Sequence, residues 1–146
     1  MTPAEYVIVV GCGRLGSRVA NFLSRRGKSV VVLDKDESRF QALASDFSGF
    51  KIQGDAARIS VLKQAKIEKA DFIICTTHED NVNLFVAQVA KKMFNVPLVL
   101  ARVYDPQKEE LYSKLGIRTV CPTDIAADRF LEMLVFSGVE PLENKE

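Results

Sequence analysis

The stretch from Tyr6 to Asp34 constrains the fold of this chain more than any other part of the sequence. An uninterrupted, mostly β-branched run, Tyr6 to Val10, leads directly into GCGRLG at residues 11–16 and then into a helical segment. A strand that is buried on both faces has this composition. A second apolar run, Ser29 to Leu33, follows the helix and ends at Asp34. This order predicts a βαβ unit with a nucleotide-type site at its glycine turn.

The glycines have the spacing that a pyrophosphate site requires. Gly11 permits the tight turn, Gly13 lets the backbone approach the pyrophosphate, and Gly16 lets the helix pack on its strand. Free N–H groups at the helix start then face the phosphates. Asp34 follows about 20 residues later, where a carboxylate holds ribose hydroxyls and repels a 2′-phosphate. The pattern favours NAD(H) or an adenine nucleotide over NADP, although Lys35 weakens that exclusion, and the alternative is that the glycines form only a turn.

The rest of the chain alternates strands and helices. The apolar runs predict further strands at residues 50–53, 70–75, 98–103 and 117–121, and helices at 36–47, 59–65, 80–94, 106–115 and 123–136. We expect Asp36 to cap the 36–47 helix, and Thr123 or Asp124 to cap the last one. The apolar stripes predict core contacts for Phe40, Leu43, Ala44 and Phe47, and for Leu84, Phe85, Val89 and Met93.

This alternation predicts an α/β fold, a Rossmann-like doubly wound six-stranded parallel sheet of order 3-2-1-4-5-6. We expect residues 1–122 to form the nucleotide-binding domain, 123–137 a crossover helix and 138–146 a flexible tail. The crossover helix is apolar on more than one side, and one sheet face cannot cover all of it. The sequence therefore favours a contact with a second subunit over simple packing on the sheet.

Composition excludes several classes of protein. With 146 residues the chain has room for one domain but not for a second, catalytic one. Its net charge of +1 gives no field that would recruit nucleic acid. The apolar runs are far shorter than the roughly 20 residues of a membrane-spanning helix, and nothing before Tyr6 resembles a signal peptide, so we expect a cytosolic protein. Three widely spaced cysteines argue against a disulfide framework or a zinc site.

Polar residues that follow the strands are candidates for the ligand side of the sheet. Asp55 either turns the chain and caps the next helix or faces the adenine. Arg14 reaches phosphates of its own or a neighbouring subunit's ligand, or is simply exposed. Arg102 contacts phosphate or ribose, or pairs with Asp105. We expect Thr76 and Thr77 to cap the following helix and to line the pocket.

Two reactive side chains lie near this predicted site. His78 is the only histidine and could serve a dehydrogenase as acid or base. The chain leaves no residues to build a substrate pocket, however, so we do not expect catalysis by His78. Cys12 lies near a helix N-terminus, which can lower a thiol pKa, but no resolving cysteine is adjacent, so a redox role is unsupported.

An ordered set of motifs resembles the RCK (KTN) domain, and the match covers Tyr6 to Phe136. This domain regulates the conductance of potassium channels and is the N-terminal module of Trk- and Ktr-type potassium-uptake regulators. The motifs are residues 7–16, Val32 to Asp36, Gly54 to Ala56, Ala70-Asp71, Thr76 to Asn83, Ala101 to Val103, and Gly116-Ile117 followed by Pro122.

The resemblance implies a regulatory protein and not an enzyme. Domains of this family bind NAD(H) or ATP, ADP or AMP and pair through the helix after the sixth strand. They assemble into rings, commonly of eight domains, beneath a membrane potassium channel or transporter, so this chain would lie at the inner face of the membrane and bind no nucleic acid. The resemblance places phosphates, ribose and adenine along the candidate residues, which are Gly11, Cys12, Gly13, Arg14, Leu15, Gly16, Asp34, Lys35, Asp55, Ala56, Thr76, Thr77 and Arg102.

One departure and two rival functions remain open at this point. Trk- and Ktr-type regulators continue into a second ligand-binding lobe after the crossover helix, whereas this sequence stops at Glu146. It is either a shortened form or a subunit that assembles with another regulatory chain carrying that lobe. The rival functions are the NAD-binding half of an oxidoreductase whose substrate domain is on another chain, and a nucleotide-binding adaptor such as a redox sensor.

Overall fold

Six parallel strands form one sheet in the computed structural model, which describes residues 4–138. The strands lie in the order β3-β2-β1-β4-β5-β6, which confirms the predicted Rossmann-like topology. Val9 in the central strand pairs with Val32 on one side and with Ile74 on the other. The strands are β1 (Tyr6–Val10), β2 (Ser29–Asp34), β3 (Phe50–Gln53), β4 (Phe72–Cys75), β5 (Leu98–Arg102) and β6 (Arg118–Val120).

Helices connect the strands and cover both faces of the sheet. The α-helices are α1 (Arg14–Arg25), α2 (Ile59–Gln64), α3 (Asp80–Lys92), α4 (Glu109–Lys114) and α5 (Pro122–Phe136). Short 3₁₀ helices span Glu37–Ala42, Ile67–Lys69 and Pro106–Lys108. Gly116 follows α4 with a φ of 74°, which is the left-handed conformation that glycine adopts readily after a helix.

Two apolar clusters lie on opposite faces of the sheet. Ile8 and Val10 belong to the larger cluster, with residues of α2 and α3, whereas Val7 and Val9 belong to the smaller one, with Ala20 of α1. Each of these four side chains is at most 1% exposed. This double burial explains the uninterrupted apolar run, because successive side chains of a strand point to opposite faces.

The prediction of a helix over residues 36–47 is wrong in type and length. Only Glu37–Ala42 is helical, as a 3₁₀ helix, although Asp36 does cap it by accepting the Ser38 N–H at 3.0 Å. Side chains of α1 compete for the following backbone, since Asn21 Oδ1 accepts the Ala44 N–H and Ser24 Oγ accepts the Ser48 N–H. Three of the four expected apolar contacts nevertheless form, because Phe40, Leu43 and Phe47 pack on the smaller cluster.

The predicted core face of α3 is only half right. Val89 is buried and Leu84 packs against the larger cluster, but Phe85 is 36% exposed and Met93 is 56% exposed. The fully buried apolar positions are Val86, Ala87 and Ala90. Small side chains occupy the face toward the sheet because they allow the helix to approach it closely, and this displaces the larger apolar residues outward.

The last helix differs from the other long helices because none of its residues is buried. It begins at Pro122 with Cys121 at the N-cap position, so the predicted caps at Thr123 and Asp124 are wrong. Proline suits the first position because its missing N–H would have no partner there. The predicted tail lies, apart from Gly138, outside the described residues. Within residues 4–138, no helix is long and apolar enough to cross a bilayer.

Candidate functional site

A cleft of about 310 Å³ opens at the carboxyl ends of β1, β2, β3 and β4. This volume lies at the lower end of the range of about 300–1,000 Å³ that is typical of small-molecule sites. The position is also the one expected for a ligand in a doubly wound sheet, because the strand order reverses between β1 and β4. The cleft is lined by Val10, Gly11, Gly13, Leu33, Asp34, Lys35, Asp36, Arg39, Gly54, Asp55, Ala56, Thr76, Thr77, His78, Glu79 and Val82.

Two of the three glycines are required by the fold itself. Gly11 has a φ of 97°, and a Cβ there would lie 3.0 Å from Thr76 Oγ1. A Cβ on Gly16 would collide with the Gly11 carbonyl group and would lie 2.6 Å from Thr76 Oγ1. The Gly11 N–H also donates to the Leu33 carbonyl at 2.7 Å, which joins the turn to the end of β2. The shape of the loop is therefore fixed by contacts within the chain.

No contact within residues 4–138 requires a glycine at position 13 in this way. Its φ is −78°, and a Cβ would lie 3.6 Å from Arg39 Nη1 and 3.8 Å from His78 Nε2, both ordinary contact distances. The missing side chain leaves the floor of the cleft open beside the start of α1. That helix has no capping side chain and no acidic residue in its first turn, so its first N–H groups are available to an anion.

Asp34 is held in place at the end of β2. Its Oδ2 accepts the Cys12 N–H and its Oδ1 accepts the Asp36 N–H, both at 2.8 Å. A carboxylate has about four lone-pair sites, so this one can accept further hydrogen bonds from ligand hydroxyls. Burial, and then the Asp34 charge, raises the pKa of the Cys12 thiol to about 11. The helix N-terminus therefore does not activate this cysteine, contrary to its general tendency.

The segments after β3 and β4 form the remaining walls. Asp55 Oδ1 accepts the Ala57 N–H at 2.9 Å, so this residue turns the chain while its side chain also lines the cleft. Thr76 is buried and donates to the Val10 carbonyl at 3.0 Å. Thr77 Oγ1 accepts the Glu79 N–H at 3.3 Å, just before α3 begins. Both threonines line the cleft as predicted, but the prediction that they cap α3 is wrong, because Glu79 occupies the N-cap position and no side chain caps the helix.

Asn83, which the sequence did not single out as a site residue, fixes the loop between β4 and α3. Its side chain is fully buried. Its Oδ1 accepts from the N–H and the Oγ1 of Thr77, at 3.0 and 2.7 Å, and its Nδ2 donates to the carbonyls of Thr77 and Arg102, both at 3.1 Å. One amide therefore ties the wall of the cleft to the end of β5.

Arg39 and His78 meet across the cleft, which sequence reasoning also missed. Arg39 Nη1 lies 2.8 Å from His78 Nε2, and His78 Nδ1 lies 3.0 Å from the Tyr104 hydroxyl. A guanidinium has no acceptor, so Nε2 accepts from Arg39 and Nδ1 carries the proton that is donated to Tyr104. The two residues are 39 positions apart, and no local pattern signals their contact.

Other predicted site residues lie beside the cleft and do not line it. Cys12 and Arg14 line a shallower depression on the other side of Gly13. Leu15 lies in the first turn of α1, and Gly16 is buried behind the loop. The Arg102 guanidinium lies over the Tyr104 ring, 4.3 Å from its centre. Arg102 does not form an ion pair with Asp105, whose carboxylate accepts the Gln107 N–H.

Comparisons with known proteins identify relatives that share this architecture. A curated relative, the Trk system potassium uptake protein TrkA of Streptomyces coelicolor, is 40% identical over 137 residues, which is 94% of this chain and 61% of that protein. The chain thus spans about three fifths of the length of this relative.

Two solved structures are similar over most of the chain. The Shewanella denitrificans Kef CTD in AMP-bound form has a TM-score of 0.77 and 27% identity, over 92% of this chain and 82% of that one. The structure of GsuK bound to ADP has a TM-score of 0.78 and 25% identity, over 91% of this chain and 34% of that one.

The family model of the TrkA-N domain matches residues 7–123, from the first residues of β1 to the start of α5. The match therefore includes the glycine loop, Asp34 and all the segments that line the cleft. On this basis the chain belongs to the TrkA-N domain family.

Proposed function

We propose that this chain is a nucleotide-binding regulatory subunit of a potassium transport system and that its cleft binds an adenine nucleotide or NAD(H). The observation that carries the proposal is the open floor at Gly13 beside the uncapped N-terminus of α1, with the Asp34 carboxylate fixed by the neighbouring Cys12 N–H. Neither the backbone conformation nor the packing of the chain requires a glycine at position 13. A pyrophosphate that approaches the backbone does require one.

The residues present fit such a ligand along the whole cleft. The N–H groups at the start of α1 would hold phosphate, and Asp34 would accept the ribose hydroxyls. Asp55 and Ala56, which line the far wall after β3, would contact the adenine. Thr76 and Thr77 would line the rest of the site. Arg14 and Arg102, which lie outside the cleft, would act only on a phosphate group that extends beyond it or belongs to a neighbouring subunit.

The relatives support both parts of the proposal. The Kef domain with AMP and GsuK with ADP carry adenine nucleotides, and the Streptomyces relative is named for potassium uptake. The phosphate-binding geometry argued above suits mononucleotides and dinucleotides alike, since both carry phosphate next to an adenosine ribose. We therefore include ATP, ADP, AMP and NAD(H) as ligands of the proposed site.

The relatives favour regulation over the rival oxidoreductase, because the Streptomyces protein is named for potassium uptake and not for a redox reaction. His78, the candidate acid or base, instead bridges Arg39 and Tyr104 through its two ring nitrogens. The chain is proposed to be a sensor that performs no chemistry on its nucleotide.

Helix α5 supports the proposed assembly. Its exposed apolar side chains are Ile125, Phe130, Leu131, Met133, Leu134, Val135 and Phe136, each 45–93% exposed. Such a continuous apolar surface is typical of a protein interface. We propose that two copies pair through this helix, that pairs form a larger ring, with or without a second regulatory chain, and that the ring lies on a membrane potassium channel or transporter at the inner face of the membrane.

Potassium uptake in cells tests this function. Cells that lack the chromosomal copy would be complemented with the wild-type chain, with Asp34→Asn, or with Asp46→Asn as a charge-matched control. Asp46 is exposed and pairs with Arg25 at the far end of α1. We expect Asp34→Asn to abolish nucleotide-dependent uptake and Asp46→Asn to retain it. Uptake that does not change on deletion of the chain, or hydride transfer from NADH to a carbonyl substrate, would contradict the proposal.

A further inference from the structure

We propose that Arg39 is a phosphate-binding residue of this cleft and that the nucleotide phosphate replaces His78 as its hydrogen-bond acceptor. The inference rests on the proposed function, since it needs a phosphate-bearing ligand in the cleft. It adds a cation that the sequence motifs do not include, and it specifies how ligand entry alters a contact between two walls of the site.

The position of the Arg39–His78 pair carries the first step. A Cβ built on Gly13 would have Arg39 Nη1 at 3.6 Å and His78 Nε2 at 3.8 Å as its nearest neighbours. The hydrogen bond between these two atoms therefore lies directly over the glycine whose missing side chain opens the floor. A phosphate that approaches Gly13 enters the space beside both groups, so it contacts Arg39 and competes with the imidazole for the same donor.

Hydrogen-bond chemistry gives the direction of the exchange. The Arg39 guanidinium donates to a neutral imidazole nitrogen in the structure, and its Nε lies 3.8 Å from Asp36 Oδ2. Both contacts have the ionised guanidinium as donor, but only the phosphate is an anionic acceptor, and Arg binds phosphate with two parallel donors. A phosphate oxygen is thus a better acceptor for Arg39 than His78 Nε2. His78 keeps its second contact, with Tyr104, after Arg39 has moved.

The exchange separates two parts of the fold. Arg39 belongs to the 3₁₀ helix that follows β2, whereas His78 belongs to the loop that leads into α3. A second contact crosses the same gap, between Lys35 Nζ and Glu79 Oε1 at 3.9 Å. These two pairs join the walls across the cleft. Loss of the shorter one on phosphate binding leaves the longer Lys35–Glu79 pair across the cleft, while Asn83 still ties the loop before α3 to the end of β5.

Binding of ADP and of adenosine to matched variants tests this proposal. Ligand-observed NMR reads dissociation constants into the millimolar range, so both ligands can be measured on the same samples. The variants are Arg39→Gln and His78→Ala, with Arg25→Gln as a control that removes the same charge from the far end of α1. Asp34→Asn provides the comparison for ribose recognition.

We expect Arg39→Gln to weaken ADP binding at least tenfold and adenosine binding less than twofold, because only ADP carries the phosphate. His78→Ala should tighten ADP binding two- to fivefold, since Arg39 then has no competing acceptor to leave. Equal losses for both ligands in Arg39→Gln, or no loss, would overturn the proposal, as would a loss of ADP affinity in His78→Ala. Failure of the wild-type chain to bind ADP, ATP, AMP, NAD or NADH would instead contradict the proposed function itself.

The imidazole nitrogens supply an independent readout. In the free protein, ¹⁵N shifts of His78 should show a neutral ring with its proton on Nδ1, as the Arg39 contact requires. Saturation with ADP should change the Nε2 shift, whereas adenosine should not. Identical His78 shifts with and without ADP would show that the pair stays intact and would refute the exchange.

Discussion

The contrast between Gly13 and Gly16 gives a sharp test of which glycine serves the ligand and which serves the fold. Alanine at position 16 would place a Cβ against the Gly11 carbonyl group and 2.6 Å from Thr76 Oγ1. Both obstacles are buried and one is backbone, so α1 must move away from β1. Overpacking of this kind costs about 3 kcal/mol or more. For a chain of this size, that lowers the melting temperature by roughly 10 °C.

Alanine at position 13 should have almost no effect on stability. Its φ of −78° suits any residue, and the nearest atoms to the new methyl group are 3.6 and 3.8 Å away. Alanine is a poorer N-cap than glycine by about 0.5–1 kcal/mol. The lower entropy of the unfolded chain returns about 0.4–1 kcal/mol. We therefore expect the free energy of unfolding to change by less than about 1 kcal/mol.

Nucleotide binding should respond in the opposite way. The new methyl group occupies the floor on which a phosphate would lie, and the resulting overlap costs roughly 1–3 kcal/mol, or about fivefold to more than a hundredfold in Kd. Thermal denaturation and calorimetric titration with ADP measure the two effects on one preparation. A Gly13→Ala variant that binds ADP as tightly as the wild type would refute the assignment of this glycine to the ligand. A fully stable Gly16→Ala variant would refute the packing argument.

Three further predictions concern the surroundings of the cleft. Asn83→Ala should lower the free energy of unfolding by about 2–4 kcal/mol, measured by urea denaturation, because it leaves buried groups of Thr77 and the Arg102 carbonyl without partners; a loss below 1 kcal/mol would contradict this. Because the Cys12 pKa is about 11, its thiolate fraction at pH 8 is about 100-fold below that of a thiol with a pKa of 9, and mass spectrometry should detect correspondingly slow alkylation by iodoacetamide. The same shift means that the unfolded chain binds fewer protons than the folded one between about pH 9 and 11, so stability should fall as the pH rises through that window. Cys75 adds to this fall, because burial raises its pKa to about 12, and constant stability would contradict both shifts. Phe130→Glu should weaken self-association at least 100-fold in sedimentation experiments, because the proposed dimer buries two Phe130 rings that contribute about 1.5–3 kcal/mol each. Glu132→Ala on the same helix should leave self-association unchanged. Unchanged association of the Phe130→Glu variant would refute an interface on α5.

The topology could be predicted from the sequence because its signals are local. The β-branched run at Tyr6–Val10 belongs to a strand buried on both faces, and strands of that kind alternating with helices leave few possible arrangements. The prediction of a helix at residues 36–47 is wrong for the opposite reason, because the deciding contacts are not local. The helix ends early because Asn21 and Ser24, on another helix, supply hydrogen-bond partners that no local pattern reveals.

The sequence predicted those site residues whose position depends on the backbone, and it missed the contacts that depend on side-chain directions. Asp34 and the glycine loop lie together because strand ends fix them. The contact between Arg39 and His78 depends on side-chain directions from two separate segments, and the placement of Arg102 over Tyr104 is equally non-local. The outward position of Phe85 and Met93 follows from the close approach of α3 to the sheet, which the helical period alone does not specify.

The most direct test of the central claim is a calorimetric titration of the nucleotide-stripped wild-type chain with ADP, repeated with Asp34→Asn. The account predicts one ADP per chain and at least a tenfold loss of affinity in the variant, because its carboxylate would hold the ribose. Absence of binding by the wild-type chain to ADP, ATP, AMP, NAD and NADH would contradict the account, as would binding that Asp34→Asn leaves unchanged.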